Sequence, residues 1–271
     1  MVATAPDRLP ISRTESKDPM EIKDSVALVT GGNRGIGEAF VRAFLAAGAR
    51  HVYVGTRDVT NAQHLVDEGA GRVTAIALDV SHQETIDAAA KTCTDVTILV
   101  NNAGQFQMQT LMRAPDMSSA RAEMEVNYFG PLAMTRAFAP ILAKSSESAI
   151  ANVLSAGGIV AIPGMGGYSP SKFAARAMST CLRAELAPQN TSVTALIVGS
   201  VDTRMAAHVE GSKETPAYIA DVGLKAIKRG ADEVDTDYMA IEVRAGISRD
   251  PKAYELQMRR SLSGERVTTG R

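Results

Sequence analysis

The chain has 271 residues, with Lys+Arg 29 against Asp+Glu 30 and a formal net charge of −1, which suits one large domain with a full hydrophobic core. Charge this balanced offers no attraction to nucleic acid or an anionic membrane, so neither is expected as a partner. Its apolar runs fall far short of the roughly 20 residues of a membrane-spanning helix, and no charged-then-apolar leader opens the sequence. The two cysteines, Cys93 and Cys181, match no zinc or CxxC spacing and are expected to be small buried side chains in a reducing compartment. A globular, cytoplasmic protein is the expectation.

Residues 1–20 contain Pro6, Pro10 and Pro19, scattered charges and no hydrophobic period, which predicts a disordered extension. Asp7, Glu15 and Asp18 argue against an organelle transit peptide there. From residue 21 onward, strand and helix patterns alternate. Val26–Thr30, His51–Gly55, Val73–Leu78, Val96–Val100, Ala149–Leu154 and Ser192–Val198 read as short buried parallel strands. The first helix is the clearest: Ile36, Ala39, Phe40, Ala43, Phe44 and Ala47 share one face, and Gly48 supplies the stop. Further helices are predicted over 61–68, 83–91, 118–144 and 168–186. The pattern predicts a single-domain α/β fold, a Rossmann-type doubly wound parallel sheet.

In such a sheet, ligands bind beyond the carboxyl ends of the strands. The first strand is followed by Gly31-Gly32-Asn33-Arg34-Gly35-Ile36-Gly37 and then a helix. Glycines let the backbone approach a pyrophosphate, and free N–H groups at the helix start face its charge. The second strand ends in Thr56-Arg57, where a ribose-binding acid would mark NAD. A guanidinium there, helped by Arg34, favours the 2′-phosphate of NADP(H) over NAD(H). Asp58 is the rival ribose ligand and would reverse that preference.

This turn, Asn101-Asn102-Ala103-Gly104 after the fourth strand, Ser155 after the fifth, and Tyr168-Ser169-Pro170-Ser171-Lys172 together resemble the short-chain dehydrogenase/reductases, over about residues 24–204. Tyr168 and Lys172 stand four apart on one helix face. An ammonium beside a phenol would lower its pKa and let it exchange a proton with a substrate oxygen. Ser155 would hydrogen-bond the same oxygen. The resemblance implies a proton-relay role for Asn127 and an adenine contact for Asp79, in Leu78-Asp79-Val80. It implies an adenosine-ribose site at Asn102, Ala103 and Gly104, and a carboxamide site at Val201 and Thr203. The expected activity is an NADPH-dependent carbonyl reductase, or the reverse alcohol dehydrogenase, acting on a small or medium apolar molecule. A catalytically silent NADP-binding sensor or scaffold is the alternative; epimerisation or dehydration through a transient ketone is a third.

Two departures stand out. Val198 replaces the proline usual before Gly199, and residues 228–250 are acidic and lack the family's Asp-Gly-Gly turn. A seventh strand is placed at Tyr238–Val243, and residues 204–218 are read as a pocket lid. A homodimer through the helices at 118–144 and 168–187, or a homotetramer, is expected. His51, His64, His82 and His208 share no ligand spacing, so no metal is expected. Met108, Met112 and Met117 read as core or loop padding, while Met165 and Met205 are placed near substrate.

Overall fold

The computed structural model describes residues 20–262. The predicted disordered extension therefore lies outside the described residues except for Met20, which is buried and donates its N–H to the Lys228 carbonyl at 2.9 Å. The strands are β1 (Val26–Thr30), β2 (His51–Thr56), β3 (Val73–Ala77), β4 (Ile98–Asn101), β5 (Ser148–Val153), β6 (Thr191–Ile197) and β7 (Glu233–Asp235). They form one parallel sheet in the order β3-β2-β1-β4-β5-β6-β7. The order reverses between β1 and β4, so a crevice opens beyond their carboxyl ends.

Every β1 residue is buried, and its side chains serve two cores in alternation. Val26 and Leu28 join one apolar cluster and Ala27 and Val29 the other, as a period of two requires of a strand covered on both faces. On one side α1 (Gly35–Ala46) packs through Phe40 and Phe44 against α7 (Pro216–Lys228). A side chain at Gly223 of α7 would strike the Phe40 ring, so glycine sets how closely these helices approach. On the other side lie α3 (Gln83–Thr92), α5 (Gly130–Leu142) and α6 (Tyr168–Leu186).

The helix predicted over 118–144 is one element in three parts: α4 (Ser118–Met124), a π segment (Glu125–Phe129) and α5. The Gly130 N–H reaches back five residues to the Glu125 carbonyl. Pro131 has no N–H to close the α-helical bond to the Asn127 carbonyl. The wide turn is thus encoded locally.

Two expectations are corrected. The seventh strand is not Tyr238–Val243, which begins helix α8 (Tyr238–Arg249), but Glu233–Asp235 just upstream of it. Ala240 and Val243 are buried and Ile247 packs beside them, so a short apolar run had a helical period that alternation masked. Cys181 is exposed, and only Cys93 is the buried thiol expected. Met108, Met112 and Met117 lie in the loop between β4 and α4, one of the two expected placements, where all three are exposed and Met108 borders the cavity described below.

The acidity of the C-terminal region is paired. Arg176 and Arg244 both bind Glu233, and Arg244 also chelates Asp235. Burial pushes the Glu233 carboxyl up, but the two guanidiniums hold it below its ordinary range. Asp237, 2% exposed, caps α8 through the Ala240 N–H and also accepts from the Gly199 N–H at 2.7 Å and from Thr236 Oγ1. Asp237→Ala should leave the Ala240 and Gly199 N–H groups unpaired, while Thr236 Oγ1 keeps the Ile197 carbonyl, and cost about 2 kcal/mol, measured as a lowered urea midpoint.

Candidate active site

A cavity of about 1350 Å³ fills the crevice beyond β1 and β4. Gly31, Asn33, Arg34, Gly35 and Ile36 line one end, with Gly37 buried beneath them. A Cβ at Gly37 would run into the Gly31 carbonyl oxygen and would lie 2.5 Å from Asn102 Nδ2. No side chain caps the start of α1, so its first N–H groups point into the crevice. A flat glycine cradle with uncapped amides fits a dinucleotide pyrophosphate.

The turn is braced from β4. Asn102 Nδ2 donates to the carbonyls of Thr30 and Gly31, while Thr30 Oγ1 accepts from the N–H groups of Asn102 and Ala103 at 3.0 Å each. Asn102, Ala103 and Gly104 all line the cavity. At the end of β2, Thr56 and Arg57 line it too, Thr56 buried and Arg57 exposed. Asp58 Oδ1 accepts from the Thr60 N–H and hydroxyl, which hold its carboxyl low and commit it to its own turn. Asp79 and Val80 follow β3 on the same wall. Asp79 is held below the ordinary range despite burial by Ser81, with smaller pulls from His82 and Arg57.

The opposite wall comes from the chain after β6. The Gly199 N–H is held by Asp237, and Val201 pairs with Glu214 in a short bridge. Thr203 closes over the glycine turn, its Cγ2 3.3 Å from where a Gly35 Cβ would be. Of the predicted lid, Arg204–Ala206 form a short helical turn, and Pro216 already begins α7.

The chemical end lies where β5 meets α6. Ser155 follows β5, its Oγ accepting from the Gly157 N–H at 3.1 Å. Tyr168 opens α6, 8% exposed, with Phe106 against its ring at 5.0 Å between centroids. One turn later, Lys172 Nζ donates to the Val153 carbonyl at 3.0 Å and stands 5.6 Å from the Tyr168 ring centroid. Ser155, Tyr168 and Lys172 all border the cavity. Asn127 does not; it is buried in the π segment behind Gly104. Its amide spans the Gln105 N–H and carbonyl and donates to Ser171 Oγ.

Residues 25–214 match the family described as short chain dehydrogenase. The chain is 31% identical over 233 residues to dehydrogenase/reductase SDR family member 7B of Xenopus tropicalis, covering 76% of this chain and 75% of that one. Its counterpart in Mus musculus is 33% identical over 195 residues, and there the match spans 60% of the relative's length. A solved short chain dehydrogenase from Burkholderia cenocepacia, in complex with NADP, is 40% identical with a TM-score of 0.83. That match covers 88% of this chain and 99% of the other. The chain is a short-chain dehydrogenase/reductase.

In this dehydrogenase/reductase the phenol does not follow the simple expectation that Lys172 lowers its pKa. Burial raises the Tyr168 phenol; Ser155 pulls it down and Glu123 pushes it further up. Burial also drives Lys172 down to about 8. Two groups that lose water together each favour the neutral form. Other cavity residues escaped the sequence: Phe106, Met108 and His208 beside the chemical end, and Arg42 near the turn. Met205 lines the cavity as expected, whereas Met165 is not among its lining residues. Glu123 had a legible signal, since Ser119, Glu123 and Asn127 recur every fourth residue and all are buried.

Lys172 gives the stability of the protein a pH dependence. Its folded pKa, about 8, lies below the ordinary 10.5, so between those values the unfolded chain binds more protons and stability rises with pH. Chemical denaturation from pH 8 to 10 should show a gain of about 2 kcal/mol that Lys172→Met abolishes.

Proposed function

We propose that the protein is an NADPH-dependent carbonyl reductase, or in reverse a secondary-alcohol dehydrogenase, for a small to medium apolar substrate. One observation carries the proposal: Ser155, Tyr168 and Lys172 border the same cavity as the glycine turn and the two arginines. The bound nicotinamide cofactor supplies the hydride. Tyr168 gives its phenolic proton to the carbonyl oxygen as the carbonyl carbon is reduced, yielding the alcohol. Ser155 orients that oxygen with its hydroxyl. Lys172, a turn away, would hold the cofactor ribose and return a proton to Tyr168, and Asn127 would support a relay that replaces this proton from bulk solvent.

NADP(H) is favoured over NAD(H) by Arg57 and Arg34 on the cavity rim; Asp58 lines the rim too, with its Oδ1 already accepting from Thr60. Phe106, Met108 and Met205 give the substrate end its apolar character. Phe129 and Phe173, exposed on the π segment and α6, support a homo-oligomer through these helices.

Two measurements test the proposal. Tyr168→Phe should retain cofactor binding but lose at least about 10²-fold in carbonyl reduction; activity above a tenth of the wild type would overturn the role of Tyr168. Fluorescence titration should show Arg57→Ala weakening NADPH by roughly tenfold with NADH unchanged. Equal weakening of both would place the 2′-phosphate elsewhere. Cofactor binding without turnover of any carbonyl would favour the silent module.

A further inference from the structure

The segment after β6 carries one polar ring into an apolar stretch of the cavity wall. Met205, Ala206, Ala207 and His208 border the cavity together with Phe106 and Met108 from the loop after β4. The Phe106 ring touches two others: its centroid is 5.0 Å from that of Tyr168 and 5.8 Å from that of His208. A single aromatic ring therefore links the proposed proton donor to His208.

The backbone around His208 is held from outside the cavity. At the base of the segment, the Asp202 N–H donates to the Glu214 carbonyl at 2.8 Å, and the Glu214 N–H to the Ser200 carbonyl at 2.9 Å. Within it, the Ala206 carbonyl accepts from the Val209 N–H and from Lys213 Nζ at 3.0 Å each, so the chain turns tightly around His208. The imidazole itself is exposed, and among the described residues neither ring nitrogen has a hydrogen-bond partner. Its position is fixed while its polar edge is uncommitted. A neutral imidazole presents one N–H in either tautomer, and the imidazolium presents two. Donation is the role that survives every protonation state.

We infer that His208 is a specificity-determining residue: it donates a hydrogen bond to a second oxygen of the substrate, one ring's breadth from the carbonyl that Tyr168 protonates. Ligand pockets are mostly apolar and fix orientation through a few polar groups. Phe106, Met108 and Met205 supply the apolar part here, and His208 the polar one. The substrate is then an apolar ketone with a further acceptor oxygen, such as a keto ester. A plain ketone of the same length would give up that bond. The inference rests on the proposed reading of Tyr168 as the group that meets the carbonyl.

Calorimetric titration of the protein saturated with oxidised nicotinamide cofactor reads the contact without turnover, because that cofactor has no hydride to give. The probes are ethyl benzoylacetate, a keto ester, and hexanophenone, a plain ketone of the same length. The wild type should bind the keto ester more tightly. His208→Phe keeps a ring for Phe106 but no N–H, and should weaken the keto ester by roughly tenfold while leaving hexanophenone unmoved. His208→Gln restores a donor and should recover most of the keto ester affinity. Equal weakening of both ketones would make His208 merely structural and overturn the inference. A keto ester preference that survives His208→Phe would place the contact at Gln105, which also lines the cavity, and overturn it as well. So would a wild type that prefers hexanophenone or binds neither. Carbonyl reduction surviving Tyr168→Phe would instead defeat the assignment of Tyr168 and leave these affinities as they stand.

Discussion

The crevice beyond β1 and β4 depends on one interlock of side chain and backbone. Thr30 and Asn102 end adjacent strands, and each satisfies backbone groups of the other's turn. Buried backbone donors and acceptors must be paired, and here the pairing fixes the glycine turn and the Asn102–Gly104 segment in one piece. The distance between cofactor cradle and chemical end follows from that, because β4 and β5 are in register and Ser155 follows β5. A loosened interlock would move both walls of the cavity.

Desolvation dominates at the chemical end. Tyr168 and Lys172 are both buried, and burial pushes each toward its neutral form, the phenol up and the ammonium down. The Lys172 ammonium is itself poised near neutrality, so the simple picture of a permanent cation lowering the phenol pKa gives way to two coupled groups.

The segment after β6 shows how a missing residue type is offset elsewhere in the chain. Val198 stands where a proline would stiffen the approach to Gly199. In this protein Asp237 grips the Gly199 N–H from the far end of β7 while capping α8. A Cβ at Gly199 would collide with that carboxylate. The acidic residues nearby are likewise occupied, Glu233 and Asp235 by Arg176 and Arg244. The C-terminal region, which lacks the family's usual ending, is therefore tied to the cofactor loop by charge-assisted bonds.

The sequence by itself determined the first six strands, the first helix and the cofactor turn, because each is specified by neighbours: apolar runs, a 3.6-residue period, glycines at fixed offsets. It also singled out Ser155, Tyr168 and Lys172, whose spacing lies within one strand-to-helix connection. Tertiary structure decided what adjacency in sequence cannot show. The α8 start has its own cap at Ala240, but only the fold brings the same Asp237 to Gly199; the π turn at Gly130 and Pro131 is local, but its approach to Val80 and the burial of Asn127 are not. Glu123 is buried against Gly167 and bonded to Gln107 only because a loop sixteen residues upstream folds across it. Burial, which sets the charge of Tyr168 and Lys172, belongs to the assembled core; no local pattern carries it.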